Sequence, residues 1–144
     1  MIESDTIKLL RECDAGIKMG VSSINEVMPH VKSDELYTAL NKCKDEHEKL
    51  ERETTELLDR YEDKGKNPNP VAKGMSWIKT NMMLAMKESD TTISDLMTDG
   101  CNMGVKSLSR YLNKYAAADE KSKDITKRLI KLEENLAVQM RGYL

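Results

Sequence analysis

Few side chains in this sequence are placed to hold a metal or move a proton. Asp14 is the first of them, because it interrupts an apolar stripe. Ile7, Leu10, Asp14, Ile17, Val21, Ile24 and Met28 follow one another at spacings of three and four, which is the buried face of an amphipathic helix. An acid there has to be paired, liganded to something, or set at the margin of the core. His47 holds the same kind of position in the run Leu36, Leu40, Cys43, His47, Leu50, Thr54, Leu57, Tyr61. Cys101 sits in a third stripe, Ile93, Met97, Cys101, Gly104 or Val105, Leu108, Leu112, Tyr115. Glu133 and Glu134 flank a fourth, which reads Ser122, Ile125, Leu129, Leu132, Leu136, Met140, Tyr143. Carboxylate, imidazole and thiolate are the donors that bind a divalent ion such as iron, zinc or manganese. The same side chains also make metal-free pairs: Asp14 with His47 across the core, or Asp14 with Lys18 one turn along. Cys43, one turn from His47, is a thiol that an imidazolium would activate, although buried cysteine is also a common packing residue. No arrangement of serine, histidine and acid points to nucleophilic catalysis.

Four long helices must position these groups. Ser4 or Asp5 caps the first, which ends near Met28 before Pro29. Ser33 caps the second, with Asp34 and Glu35 suiting its dipole. The run "DKGKNPNP" stops it. Asn69 and Pro70 open a shorter helix to about Glu88, carrying Met75, Ile78, Met82, Ala85 and Met86. Ser89 or Asp90 caps the third long helix, and "AAAD" joins it to the last. The sequence is therefore one all-α domain over 1–144: a hairpin at 5–64, a crossover at 65–89 and a hairpin at 90–143. The crossover is long enough to return the chain to the other end, so the second and third helices run parallel in a four-helix bundle.

Heights along the hairpins follow from rise per residue. Asp14 and His47 each lie about seventeen residues from a joint near residue 30, so they are expected to face each other. Cys101 and Glu134 are equidistant from a joint between Ala117 and Ala118. The expected metal set is Asp14, His47, Cys101 and Glu134.

This layout resembles the ferritin-like superfamily, particularly its small uncharacterised bacterial branches. Those proteins carry a carboxylate mid-way along the first helix, E-x-x-H on the second, a Glu on the third, often after Gly, and E-x-x-H on the fourth. Asp14 stands where the first carboxylate would be. "KCKDEHEKLERE" supplies His47, with Lys44 three residues before it. "DGC" puts Cys101 at the third-helix position. "KLEENLAVQM" offers Glu133 or Glu134, but Leu136 and Ala137 stand where a histidine would follow. The resemblance implies an incomplete di-iron ligand set, and ferroxidase chemistry is not expected from it.

Charge and composition narrow the classes further. The 23 basic and 25 acidic residues are interspersed, giving a net charge of −2, so no basic face speaks for nucleic acid or an anionic membrane. No apolar run reaches membrane-spanning length, and the first residues lack a signal peptide's pattern, so the expected location is the cytoplasm. The three cysteines form no C-x-x-C pair and read as reduced thiols. Met75, Met82, Met83, Met86, Met97 and Met103 are spaced for adaptable packing, and a homo-oligomer, such as a dimer through the crossover helix, is the expected partner arrangement. Glycines 16, 20, 100 and 104 mark close helix approaches. The expected function is non-enzymatic, a structural, stress-related or protein-interaction bundle without a cofactor. The alternative is a single-metal or thiol redox-responsive protein.

Overall fold

The computed structural model describes residues 4–67, 78, 81 and 89–144. Four long helices make up the bundle: α1 (Asp5–Val27), α2 (Asp34–Arg60), α3 (Asp90–Lys114) and α4 (Glu120–Met140). Among the described residues there is no strand. Each helix begins at a residue whose oxygen accepts a backbone amide in the first turn. These are Ser4, Ser33, Ser89 and Asp119, bonded to the amides of Ile7, Leu36, Thr92 and Ser122. Met28–His30 form a 3-10 turn with Pro29 inside it, which ends α1 and starts the first joint.

Direction follows from how the joints are fastened. Asp90, the first residue of α3, accepts the amides of Lys32 (2.8 Å) and Ser33 (2.9 Å), so α3 starts beside the loop between α1 and α2. At the opposite end, Asp5 and Thr6 of α1 accept the amides of Ala117 (3.1 Å) and Asp119 (2.9 Å) in the loop between α3 and α4. Helices α2 and α3 therefore start at the same end and run parallel. Helix α2 packs on α1 and α4, and α1 also packs on α3. The chain leaving α2 must travel back along the bundle, roughly 40 Å for a helix of that length. Most of the expected crossover helix, including Trp77 and all four of its methionines, lies outside the described residues. Within it, Ile78 is helical and buried in the lower core with Ile24, Leu36, Leu40, Ile93 and Met97.

A second apolar cluster, Leu10, Cys13, Ile17, Leu50, Leu58, Leu108, Ile125 and Leu129, fills the other half. The expected stripes hold with two corrections. At the end of α2 the buried residue is Leu58 rather than Leu57, and Tyr61 is exposed, because the face advances by four residues from Thr54 instead of three. Gly100 has open space where a side chain would project, and a Cβ on Gly16 or Gly104 would make ordinary contact at 3.5 Å or more, so of the expected four Gly20 stands at a close approach.

Candidate functional site

Two polar clusters interrupt the core. The first centres on His47, whose side chain is 1 % exposed. Its Nδ1 lies 2.8 Å from the carbonyl oxygen of Cys43, the preceding turn of α2, and Cys43 Sγ is 3.5 Å from the same nitrogen. Its Nε2 meets Glu133 Oε1 of α4 at 3.0 Å. Glu133 also bears on Cys101 of α3, whose thiol its carboxylate helps to hold protonated. A chain of four side chains thus crosses three helices. Gly20 gives it room, since a Cβ there would stand 2.8 Å from His47 Nε2, and a Cβ on Gly104 would lie 3.5 Å from Glu133 Oε2.

The electrostatics favour a charged imidazole. Burial opposes the positive form, but the hydrogen bonds and charge from Cys43 and Glu133 outweigh it and push the His47 pKa up to about 10. An imidazolium donates from both nitrogens, which suits a carbonyl on one side and a carboxylate on the other. Burial raises the Cys101 thiol strongly, and the Glu133 charge adds to that. Burial likewise pushes Cys13 up to about 11 against its contact with Thr126. Both thiols are held protonated, the opposite of an activated nucleophile.

The second cluster centres on Asp14, which is 2 % exposed. Its Oδ2 accepts Lys18 Nζ at 2.8 Å and the backbone amide of Lys66 at 2.9 Å. The Glu51 carboxyl of α2 lies within hydrogen-bonding reach. The turn that delivers Lys66 is tied to α1 by Arg11 with Asp63 (2.5 Å) and by Lys66 Nζ with Glu12 (2.6 Å). Arg11 holds the Asp63 carboxyl below its usual range.

The four expected ligands do not converge: among the described residues no three His, Cys, Asp or Glu side chains are arranged to hold an ion. His47 and Cys101 fall in the first cluster and Asp14 in the second. Glu134 is exposed, and its neighbour Glu133 reaches His47 instead. The Asp14–His47 pairing fails for a geometric reason. Side chains tilt toward the N-terminus of their own helix, so in an antiparallel pair they tilt in opposite directions. Asp14 leans up to the level of Glu51, four residues or about 6 Å beyond His47, while His47 leans down to Gly20. Backbone heights match and functional groups miss. Of the expected metal-free partners for Asp14, Lys18 is the one found. Glu133 was legible from its place four after Leu129 and three before Leu136, but the apolar Leu132 drew the stripe aside. Glu51, one turn past His47, carried no comparable signal.

Between α1 and α2 runs a groove of about 450 Å³ lined by Ile17, Lys18, Val21, Asn25, Glu48 and Glu51 among others. No helix among the described residues is long and apolar enough to cross a membrane. No protein-family model matches the chain, and no curated protein matches it. Among solved structures, a conserved hypothetical protein from Mycobacterium tuberculosis is similar, with a TM-score of 0.73 and 11 % identity over 100 % of both chains. At that identity the likeness is one of fold alone.

Proposed function

We propose that this protein is a non-enzymatic bundle of the ferritin-like kind, without a complete di-metal centre, serving a structural, stress-related or protein-interaction role. The ferritin-like part of the reading draws support from helix order, parallel α2 and α3, and the long connection between them. The observation that carries the non-enzymatic part is the engagement of His47. Both its nitrogens have partners, at 2.8 Å and 3.0 Å. A metal centre or a general base needs an imidazole lone pair aimed at an open position. The remaining core acid, Asp14, is occupied by an ammonium and an amide. Self-association and a cytoplasmic setting belong to the same proposal.

The second reading is a single-metal or thiol redox-responsive protein that uses the residual core site around His47, which would have to release Glu133 or the Cys43 carbonyl to take an ion. Elemental mass spectrometry of untagged, anaerobically purified protein separates the two, run beside His47→Ala and Glu133→Gln. The proposal expects no stoichiometric iron, zinc or manganese, even after incubation with Fe(II) and Zn(II). Near-stoichiometric metal that is lost in both variants would overturn it in favour of the second reading. Sedimentation at micromolar concentration tests self-association, and a monomer there would remove that part.

A further inference from the structure

We propose that Asp14 and Glu51 share one proton, and that this shared proton latches the turn at residues 62–67 onto α1. The inference begins with an orphan atom. Glu51 Oε2 is enclosed and has no hydrogen-bond partner, although the Glu51 carboxyl lies within hydrogen-bonding reach of Asp14. Two carboxylates repel at that range, whereas a carboxyl and a carboxylate make a strong bond. A proton on the pair gives the Glu51 carboxyl a partner and leaves one negative charge, which Lys18 Nζ neutralises at 2.8 Å.

The backbone of the turn rests on the same carboxylate. Lys66 donates its amide to Asp14 Oδ2 at 2.9 Å. Gly65 takes φ +80, and a Cβ there would run into that same oxygen, so the peptide sits directly against it. A second negative charge on Glu51 would repel Asp14 and compete for Lys18, loosening the acceptor that fixes the Lys66 amide. The other charges are engaged: Glu48, which lines the same groove one turn before Glu51, pairs with Lys44, and Glu26 along that groove has a partner too. On α1, Glu12 pairs with Lys66 Nζ and Arg11 with Asp63. From α4, Glu133 pairs with His47 one turn before Glu51, and Arg128 pairs with Glu53. Nothing else among the described pairs replaces the lost proton. Because Glu51 and Lys18 also line the groove between α1 and α2, the pair exchanges protons with water.

Burial, with Asp14 as the second cause, pushes the Glu51 pKa up to about 7. A raised acid is favoured in its protonated form by the folded state, so the latch is closed below that pH and loosens as pH rises through it.

The test is NMR on the full chain from about pH 5 to about pH 9. It follows the Glu51 side-chain carboxyl carbon and the amides of Gly65 and Lys66. The Glu51 carboxyl should titrate near 7, not near its ordinary 4.5, with the Lys66 amide shifting at the same midpoint. In Glu51→Gln the side-chain amide donates to Asp14 without titrating, so the Lys66 amide should stay at its low-pH position throughout. Three results would overturn the proposal: an ordinary Glu51 titration, a Lys66 amide indifferent to it, or a Lys66 transition that survives in Glu51→Gln. Should the variant fail to fold, the two wild-type titrations still decide.

Discussion

His47 draws its charge from where its neighbours stand. Glu133 reaches it from another helix at 3.0 Å, and the Cys43 carbonyl takes the other nitrogen. Replacing Glu133 with Gln keeps the shape and removes the charge. The His47 midpoint, read by NMR, should fall from about 10 toward the ordinary histidine range. Stability at neutral pH should drop by about 1–3 kcal/mol, as for other buried polar groups left with a poorer partner. The linked pH dependence has a definite sign. Because the folded-state pKa is raised, the His47 contribution is complete below 6.5 and is lost as pH climbs to about 10. Glu51, also raised, adds a loss between 4.5 and about 7. Urea midpoints should therefore decline across neutral pH toward the alkaline side, and Glu133→Gln should flatten the upper part of that slope. Two glycines give an opposed pair. Gly20→Ala puts a Cβ 2.8 Å from His47 Nε2, and displacing the ring should cost about 1–3 kcal/mol, more than the helix gains. Gly16→Ala meets only Leu129 at 3.7 Å and Leu108 at 3.8 Å, so its better helix propensity should show as a gain of up to about 1 kcal/mol. Chemical denaturation of both variants checks the pair, and equal effects would contradict the close approach at Gly20.

Elements were the most legible level of this sequence. Serines at 4, 33 and 89 and Asp119 announce the helix starts, and the three–four spacing of apolar residues locates nearly every buried face. What the spacing cannot carry is the lean of a side chain off its helix, which is why Asp14 and His47 sit level in the backbone yet belong to different clusters. The end of α2 was also hidden. Asp63 donates its amide to Leu58 O and Glu62 to Asp59 O, a Schellman-type stop with Glu62 at φ 56. Glycine is the usual residue there, and a reader of sequence looks for Gly65 as the stop. A non-glycine residue in the left-handed region is strained. Glu62→Gly should thus stabilise the protein by up to about 1 kcal/mol in a urea titration, with little change in the slope. Glu62→Val should do the reverse, since β-branching worsens that conformation.

At the scale of the molecule, the two hairpins fasten each other's loops. Asp90 holds the loop of the first hairpin, and Asp5 with Thr6 holds the loop of the second. Asp90→Ala removes two acceptors far from its own loop. It should destabilise the fold by about 1–3 kcal/mol, and hydrogen exchange should quicken at Lys32 and Ser33 rather than only at the start of α3. That reciprocity bears on how the chain comes together. A hairpin made alone would have an unfastened turn, so neither half is complete until the other has docked. The bonds that complete them join residues 57 to 113 apart in sequence, so they form only once the two halves have met. Folding of this all-helical chain should accordingly be governed by the meeting of its halves and not by helix formation, slower than its secondary structure suggests, and it should come apart in a single step.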